Sequence, residues 1–309
     1  MRCTVVGAGA LVAVALACGS RTSGPLEPTP LPAVPAPVPG PAPGPSTGMT
    51  ATLVGAGDIA NCASRSHERT AAILDRVDGT VITMGDNVYP DGAIGEFLSC
   101  YDKSWGRHKN RTKPAPGDHE YRTPGAAGYF EYFSGQIGQP GLGYYSYFAG
   151  DWQVFSLDSS APASANSPQY RWLQSELQST TVRCRLAYWH FPVFNSGFDG
   201  NLPQMREVWR LLFAHGVDVV LAGHAHDYER FSRLDADGVP DRARGIRQFI
   251  VGTGGASFTE PAQRQASSEA FASNVLGVLK LTLEPQGYKW QFIPADGWTF
   301  SDAGSDECS

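Results

Sequence analysis

Five apolar runs in this chain each end on an acid or an imidazole. TLVGAGD closes at Asp58 and TVITMGDNVY at Asp86, with Tyr89 just beyond. KPAPGDHEY supplies Asp118, His119 and Glu120, LAYWH ends at His190, and VVLAGHAH at His224 and His226. Short apolar runs bounded by glycine read as buried strands. Loops at the carboxyl ends of strands in an open α/β sheet converge on one crevice. The pattern therefore gathers oxygen and nitrogen donors at a common mouth. Several carboxylates cannot share such a place unless cations offset their repulsion and desolvation, so the conjunction requires metal. Any single element is weak, since Gly150-Asp151 repeats the Gly-Asp pair in what reads as a plain turn.

His224 and His226 fit this reading. Residues i and i+2 of an extended segment point the same way, and Gly223 releases the strand just before them. Imidazole with carboxylate, and without thiolate, suits iron, zinc or manganese. The donor set exceeds what one tetrahedral ion needs, which favours two ions.

Between these runs the spacing predicts a helix from Ser66, with Thr70, Ile73, Leu74 and Val77 on one face. A second starts at Ser167-Pro168, with Tyr170, Leu173 and Leu177 inward, and a third places Met205, Val208, Trp209 and Leu212 on its buried face. Residues 143–160 read as a hairpin. RQFIVGTGG, LGVLKLTLEP and YKWQFIP follow as strands with no helix between them. The order, β/α and then mostly β, predicts an α/β fold in which a two-sheet β sandwich is flanked by helices, filling residues 50–309 as one domain. A formal charge of -6 and a pI of about 5.6 argue against a nucleic-acid partner. The sequence carries no evident dimerisation signal.

Residues 1–18 combine one arginine, an apolar run too short to span a bilayer comfortably, and Ala15-Leu16-Ala17-Cys18. The expectation is a secretory signal with a bacterial lipobox, acylated at Cys18, which would be the only contact with a membrane. An ordinary signal peptide, and hence secretion, is the alternative. Residues 19–49 hold a proline at almost every second position from Pro25 onward, which predicts an extended linker without a packed core. Four cysteines remain in the body; for an exported protein they suggest two disulfides, with Cys62–Cys100 and Cys184–Cys308 preferred among three pairings.

The ordered set GD at 57–58, GDNVY at 85–89, GDHE at 117–120, AYWH at 187–190 and GHAH at 223–226 resembles the calcineurin-like metallophosphoesterases, and within them the purple acid phosphatases. The resemblance covers the chain from about residue 50 onward. It implies that Asp58, Tyr89 and His226 hold one metal, that Asp118, His190 and His224 hold a second, and that Asp86 bridges. Other branches carry a histidine two residues after the first aspartate; Ala60 stands there, and Tyr89 replaces it. A phenolate implies Fe(III) paired with divalent Zn, Fe or Mn. His119 then protonates the leaving alkoxide, and Glu120 orients that imidazole. The activity implied is hydrolysis of a small-molecule phosphate ester, a monoester foremost, with a diesterase or nucleotidase, or a catalytically impaired surface binding protein, as alternatives. Two departures add negative charge: Asp118 replaces the family's asparagine, and Asp199 lies near where relatives often place a histidine.

Overall fold

The computed structural model describes residues 48–139, 141–258 and 263–309. The expected signal and lipobox, and all of the linker before residue 48, lie outside the described residues.

The first half alternates strands with helices: β1 (Ala51–Ala56), β2 (Ala60–Asn61), α1 (Ser66–Leu74), β3 (Thr80–Met84), β4 (Val88–Tyr89), α2 (Ile94–Ser99) and β5 (Thr112–Ala115). Two short helices follow, α3 (Asp118–Tyr121) and α4 (Ala127–Tyr132), then the hairpin β6 (Tyr145–Ala149) and β7 (Trp152–Ser156). Next come α5 (Pro168–Ser179), β8 (Arg185–Tyr188), α6 (Arg206–Ala214) and β9 (Val219–Ala222). The remainder is β: β10 (Tyr228–Leu234), β11 (Ile246–Val251), β12 (Ser268–Ala272), β13 (Gly277–Glu284), β14 (Gly287–Pro294) and β15 (Ala303–Glu307).

These strands form one sheet in the order β15-β14-β13-β1-β3-β5 and another in the order β12-β10-β11-β9-β8-β7-β6. The period-two alternation of the strands shows how they stack. In β9, Val219 and Leu221 join a core shared with Val54 and Leu281 of the first sheet, while Val220 faces Trp209 and Leu212 of α6. In β8, Leu186 and Tyr188 face the first sheet, and Ala187 turns toward the helices. Fully buried Ile73 and Leu74 bring α1 into the shared core. The architecture is the expected helix-flanked sandwich.

Local differences from the sequence reading have physical causes. Ser167 caps α5 by accepting from the Tyr170 N–H at 3.2 Å, ahead of Pro168. Ser66 instead lies inside α1 and caps nothing; the capping position falls to Arg65, whose side chain pairs with Glu68. Cys184 and Cys308 are bonded, with 5.5 Å between Cα atoms. Cys62 and Cys100 are free thiols, which corrects the expected Cys62–Cys100 disulfide. The Cys100 sulfur is buried and lies 3.8 Å from His67 Nε2 and 3.9 Å from the Ala60 carbonyl, whereas Cys62 is exposed. The strand β10 had no expectation, because its sequence, YERFSRL, mixes charge into the pattern.

Strands β1 and β3 and strands β8 and β9 are parallel pairs in the two different sheets, and each ends toward one edge of the sandwich. That edge is where the acids and imidazoles meet.

Candidate metal centre

Two glycines allow the loops to approach. A Cβ on Gly223 would stand 2.6 Å from the Met84 carbonyl and 2.7 Å from Asp58 Oδ2. Gly85, at φ +77°, lies against the His190 ring, where a Cβ would approach to 2.6 Å. Asp58, Asp86 and His224 themselves sit at φ 59°, 49° and 69°. Such left-handed residues are costly singly and cluster at functional sites. Backbone bonds hold the loops together: the Gly57 N–H donates to the Val251 carbonyl at 2.8 Å, and the Asp58 N–H to the Gly85 carbonyl at 3.1 Å.

The donors fall into two groups. Tyr89 Oη lies 2.9 Å from Asp58 Oδ1 and 3.3 Å from His226 Nε2, and His226 Nε2 lies 3.3 Å from Asp58 Oδ1. Separately, His190 Nε2 lies 3.1 Å from Asp118 Oδ1 and 3.3 Å from His224 Nδ1, and His224 Nδ1 lies 3.6 Å from Asp118 Oδ1. Asp86 joins the two groups. Its Oδ1 is 3.4 Å from His190 Nε2, and donor atoms of Asp58, Asp86 and His190 all lie within 4.8 Å of one another. Ligands about 2.0–2.2 Å from one ion stand roughly 3–3.5 Å apart, so both triangles have the size that a cation imposes. The structure brings all seven expected ligands together.

Each imidazole is also held from behind. His190 Nδ1 meets the Met84 carbonyl at 2.9 Å, His226 Nδ1 meets Ser257 Oγ at 3.3 Å, and His224 Nε2 lies 3.4 Å from Asp199 Oδ2. One nitrogen thus faces the centre while the other has a protein partner, the arrangement that fixes a metal-binding tautomer. His119 follows suit: Nδ1 donates to the Pro90 carbonyl at 2.5 Å, leaving Nε2 3.7 Å from Asp86 Oδ2.

The charges show what the site lacks without a cation. Burial pushes Asp58 up, yet His226, His190 and His224 hold its carboxyl below the usual range. Burial pulls His190 down, yet Asp86, Asp118 and Asp58 raise it well above an ordinary imidazole. Burial, followed by the Asp58 and Asp86 charges, pushes the Tyr89 phenol well up. Among these carboxylates His190 favours its protonated form, and the Tyr89 phenolate would form only beside a strong cation. The donor set fits metal.

Glu120 departs from expectation. Its carboxylate does not reach the His119 ring. It is fully buried and accepts from the N–H groups of Gly117 at 2.7 Å, Asn87 at 2.8 Å, Asp86 at 3.0 Å and Val88 at 3.3 Å. Burial and the Asp86 charge push it up to about 8, while these donors favour the ionised form. Its place is structural, binding the loop that carries Asp86 to the one that carries Asp118. Tyr228 is fully buried and donates to Asp302 at 2.7 Å, away from the centre. Sequence reasoning missed Ser257 and the Met84 and Pro90 carbonyls; backbone acceptors leave no residue-type signal.

The profile of the calcineurin-like phosphoesterase family matches residues 52–228. Among curated relatives, purple acid phosphatase 23 of Arabidopsis thaliana is 29% identical over 167 residues, covering 47% of this chain and 36% of the relative. An acid phosphatase of Aspergillus ficuum is 27% identical over 174 residues, covering 48% of this chain and 28% of the relative. The matched regions thus span about a third of those proteins. Among solved structures, purple acid phosphatase PPD1 from yellow lupin superposes with a TM-score of 0.68 at 18% identity, covering 86% of this chain and 55% of that one. GAP50, described as the anchor in the inner membrane complex of Plasmodium, gives a TM-score of 0.64 at 12% identity, with 84% and 89% covered. With the profile spanning more than half its length, the chain belongs to the calcineurin-like phosphoesterase family, and the relatives it resembles there include purple acid phosphatases.

Proposed function

We propose that this protein is an exported phosphoric ester hydrolase with a dinuclear metal centre, Fe(III) beside Tyr89 and a divalent Zn, Fe or Mn beside His190 and His224. The observation that carries the reading is the pair of donor triangles sharing Asp86. Asp58, Tyr89 and His226 would hold the first ion, Asp118, His190 and His224 the second, and Asp86 both. Bound there, the two cations would supply a nucleophile from water near neutral pH and polarise the phosphoryl oxygens. His119 holds its Nδ1 proton on the Pro90 carbonyl, which directs Nε2 to the mouth, where it can protonate or hydrogen-bond the leaving oxygen. Fold alone does not decide for an enzyme, since a protein described as an anchor shares it. The intact donor set and the placement of His119 favour catalysis over a binding role. Export and a lipid tether at Cys18 complete the proposal, resting on the N-terminal sequence.

The test is hydrolysis of p-nitrophenyl phosphate and bis(p-nitrophenyl) phosphate by protein of measured metal content, with a chelator control. Turnover that tracks two ions per chain supports the reading. Full metal loading without turnover of either ester refutes catalysis and leaves the binding-protein alternative.

A further inference from the structure

We infer that Asp158 is a positioning residue for the second half of the centre: through Tyr121, and through its neighbour Ser159, it fixes how far Asp118 stands from His190. This rests on the two-ion reading above and adds to it residues that touch neither the ions nor the substrate.

The ground is the route by which each ligand reaches the mouth. In the triangle of Asp118, His190 and His224, the two imidazoles follow β8 and β9 of the second sheet, and the Gly223 N–H ties their loops by donating to the His190 carbonyl at 3.0 Å. Asp118 alone of the three follows a strand of the first sheet, β5. The 3.1 Å between Asp118 Oδ1 and His190 Nε2 is therefore a distance between sheets. Asp118 opens α3, whose four residues are too few to hold an i→i−4 bond among themselves, so its aim depends on outside ties. Glu120, and the His119 N–H, which donates to Asp86 Oδ1 at 3.0 Å, tie it to the loop after β3 of the first sheet. Tyr121 reaches the second sheet, where its hydroxyl donates to Asp158 Oδ2 at 2.5 Å.

Asp158 is itself held fast to receive that bond. It lies two residues beyond β7, the neighbour of β8, and is fully buried. Its Oδ1 accepts from the N–H groups of Ser160 at 2.9 Å and Ala161 at 3.1 Å. Its own N–H donates to Gln169 Oε1 at 2.7 Å and its carbonyl accepts from Gln169 Nε2 at 2.8 Å, which moors it to α5. Gly143, at φ +71°, closes over the carboxylate, where a Cβ would stand 2.5 Å from Oδ2. The next residue, Ser159, accepts at Oγ from the Phe191 N–H at 3.0 Å, one residue past His190. One dipeptide thus holds both the helix that bears Asp118 and the loop that bears His190. The other triangle has separate ties between the sheets: the Gly57–Val251 bond, and the His224 N–H, which donates to Asp58 Oδ2 at 2.8 Å. Loosening Asp158 should therefore open the second triangle and spare the first.

The experiment strips the full chain of metal, loads one equivalent of Fe(III), and measures the Kd of Zn2+ for the remaining site by competition with a chromophoric chelator. Elemental analysis and the Tm of the metal-free protein accompany it. The variants are Tyr121→Phe, which removes one hydroxyl and keeps the ring, Asp158→Asn, and the two combined. Tyr121→Phe and Asp158→Asn should each weaken Zn2+ binding by roughly tenfold, the lower end of what losing a group behind a ligand costs. Iron content and the visible phenolate-to-iron band should stay at their wild-type values. The double variant should bind Zn2+ no worse than Asp158→Asn alone, since the two groups act through one bond. A role confined to stability would lower the Tm with the Zn2+ Kd unmoved, or weaken both ions alike, and either result overturns the inference. Should Asp158→Asn fail to fold, Tyr121→Phe decides by itself. A wild type that takes two ions, with the Tyr121→Phe Kd unchanged, overturns the inference alone; a wild type that takes one ion overturns the two-ion reading and the inference with it.

Discussion

Replacing Glu120 should damage the protein far more than its distance from the chemistry suggests. Glu120→Ala would strip four buried N–H groups, those of Asp86, Asn87, Val88 and Gly117, of their acceptor. An unsatisfied buried donor costs about 1–3 kcal/mol, so the gross loss approaches 4–12 kcal/mol. Water entering the vacated space and relaxation of the loops would recover much of that, leaving about 3–5 kcal/mol. Glu120→Gln tests the cause more sharply. The carboxamide keeps the shape but turns an NH2 group toward donors, so about 2–4 kcal/mol should still be lost. The assay is urea unfolding of the chelated protein, where metal contributes nothing, followed by metal titration of each variant. A Glu120→Gln protein within about 0.5 kcal/mol of wild type would show that the four bonds do not bear on stability, a smaller loss than any they permit.

Tyr89→Phe should leave the iron-loaded protein without a visible phenolate-to-iron absorption band; a band that persists would remove Tyr89 from the ligand set. Gly223→Ala would drive a methyl group to 2.6 Å from the Met84 carbonyl, so two-ion stoichiometry by elemental analysis should fall below half; full occupancy would contradict the packing argument. His190 and His226 have raised folded pKa values. Their stabilisation of the metal-free fold is fully present below about pH 6.5, the unfolded value, and is lost as pH rises through the folded values. The Tm of chelated protein should therefore fall from pH 6 toward pH 9, and metal loading, which replaces those protons, should flatten the slope; parallel slopes would argue against shared sites. Opening the Cys184–Cys308 bond, which spans 124 residues, should cost about 2–4 kcal/mol, measurable by unfolding with and without reductant; equal midpoints would refute it.

Much of the centre was legible because metal chemistry restricts residue type. Asp58, Asp86, His190 and His224 end apolar runs, and strand ends in such folds have one destination. Strand periodicity likewise exposed the sandwich, since Val219, Val220 and Leu221 alternate between two cores. What sequence did not disclose is which way a polar side chain turns once the loops close. Glu120, next to His119, reads as its partner, yet it reaches across to the Asp86 loop. Cys62 and Cys100 have the right number and context for a disulfide, but pairing depends on sulfur directions that no spacing encodes. Asp199 was visible as added charge, not as the group behind His224.

One strand, β8, is gripped at both of its tips by unlike fasteners. Cys184, just before it, is bonded to Cys308 beyond β15 of the opposite sheet, and His190, just past its other tip, shares a donor cluster with Asp58 and Asp86 from that same opposite sheet. An oxidant closes one fastener and a cation the other. The two sheets are thus pinned to each other at both tips of one strand, covalently at one and through the donor cluster at the other, so a cation held there would stiffen the sandwich as well as the mouth.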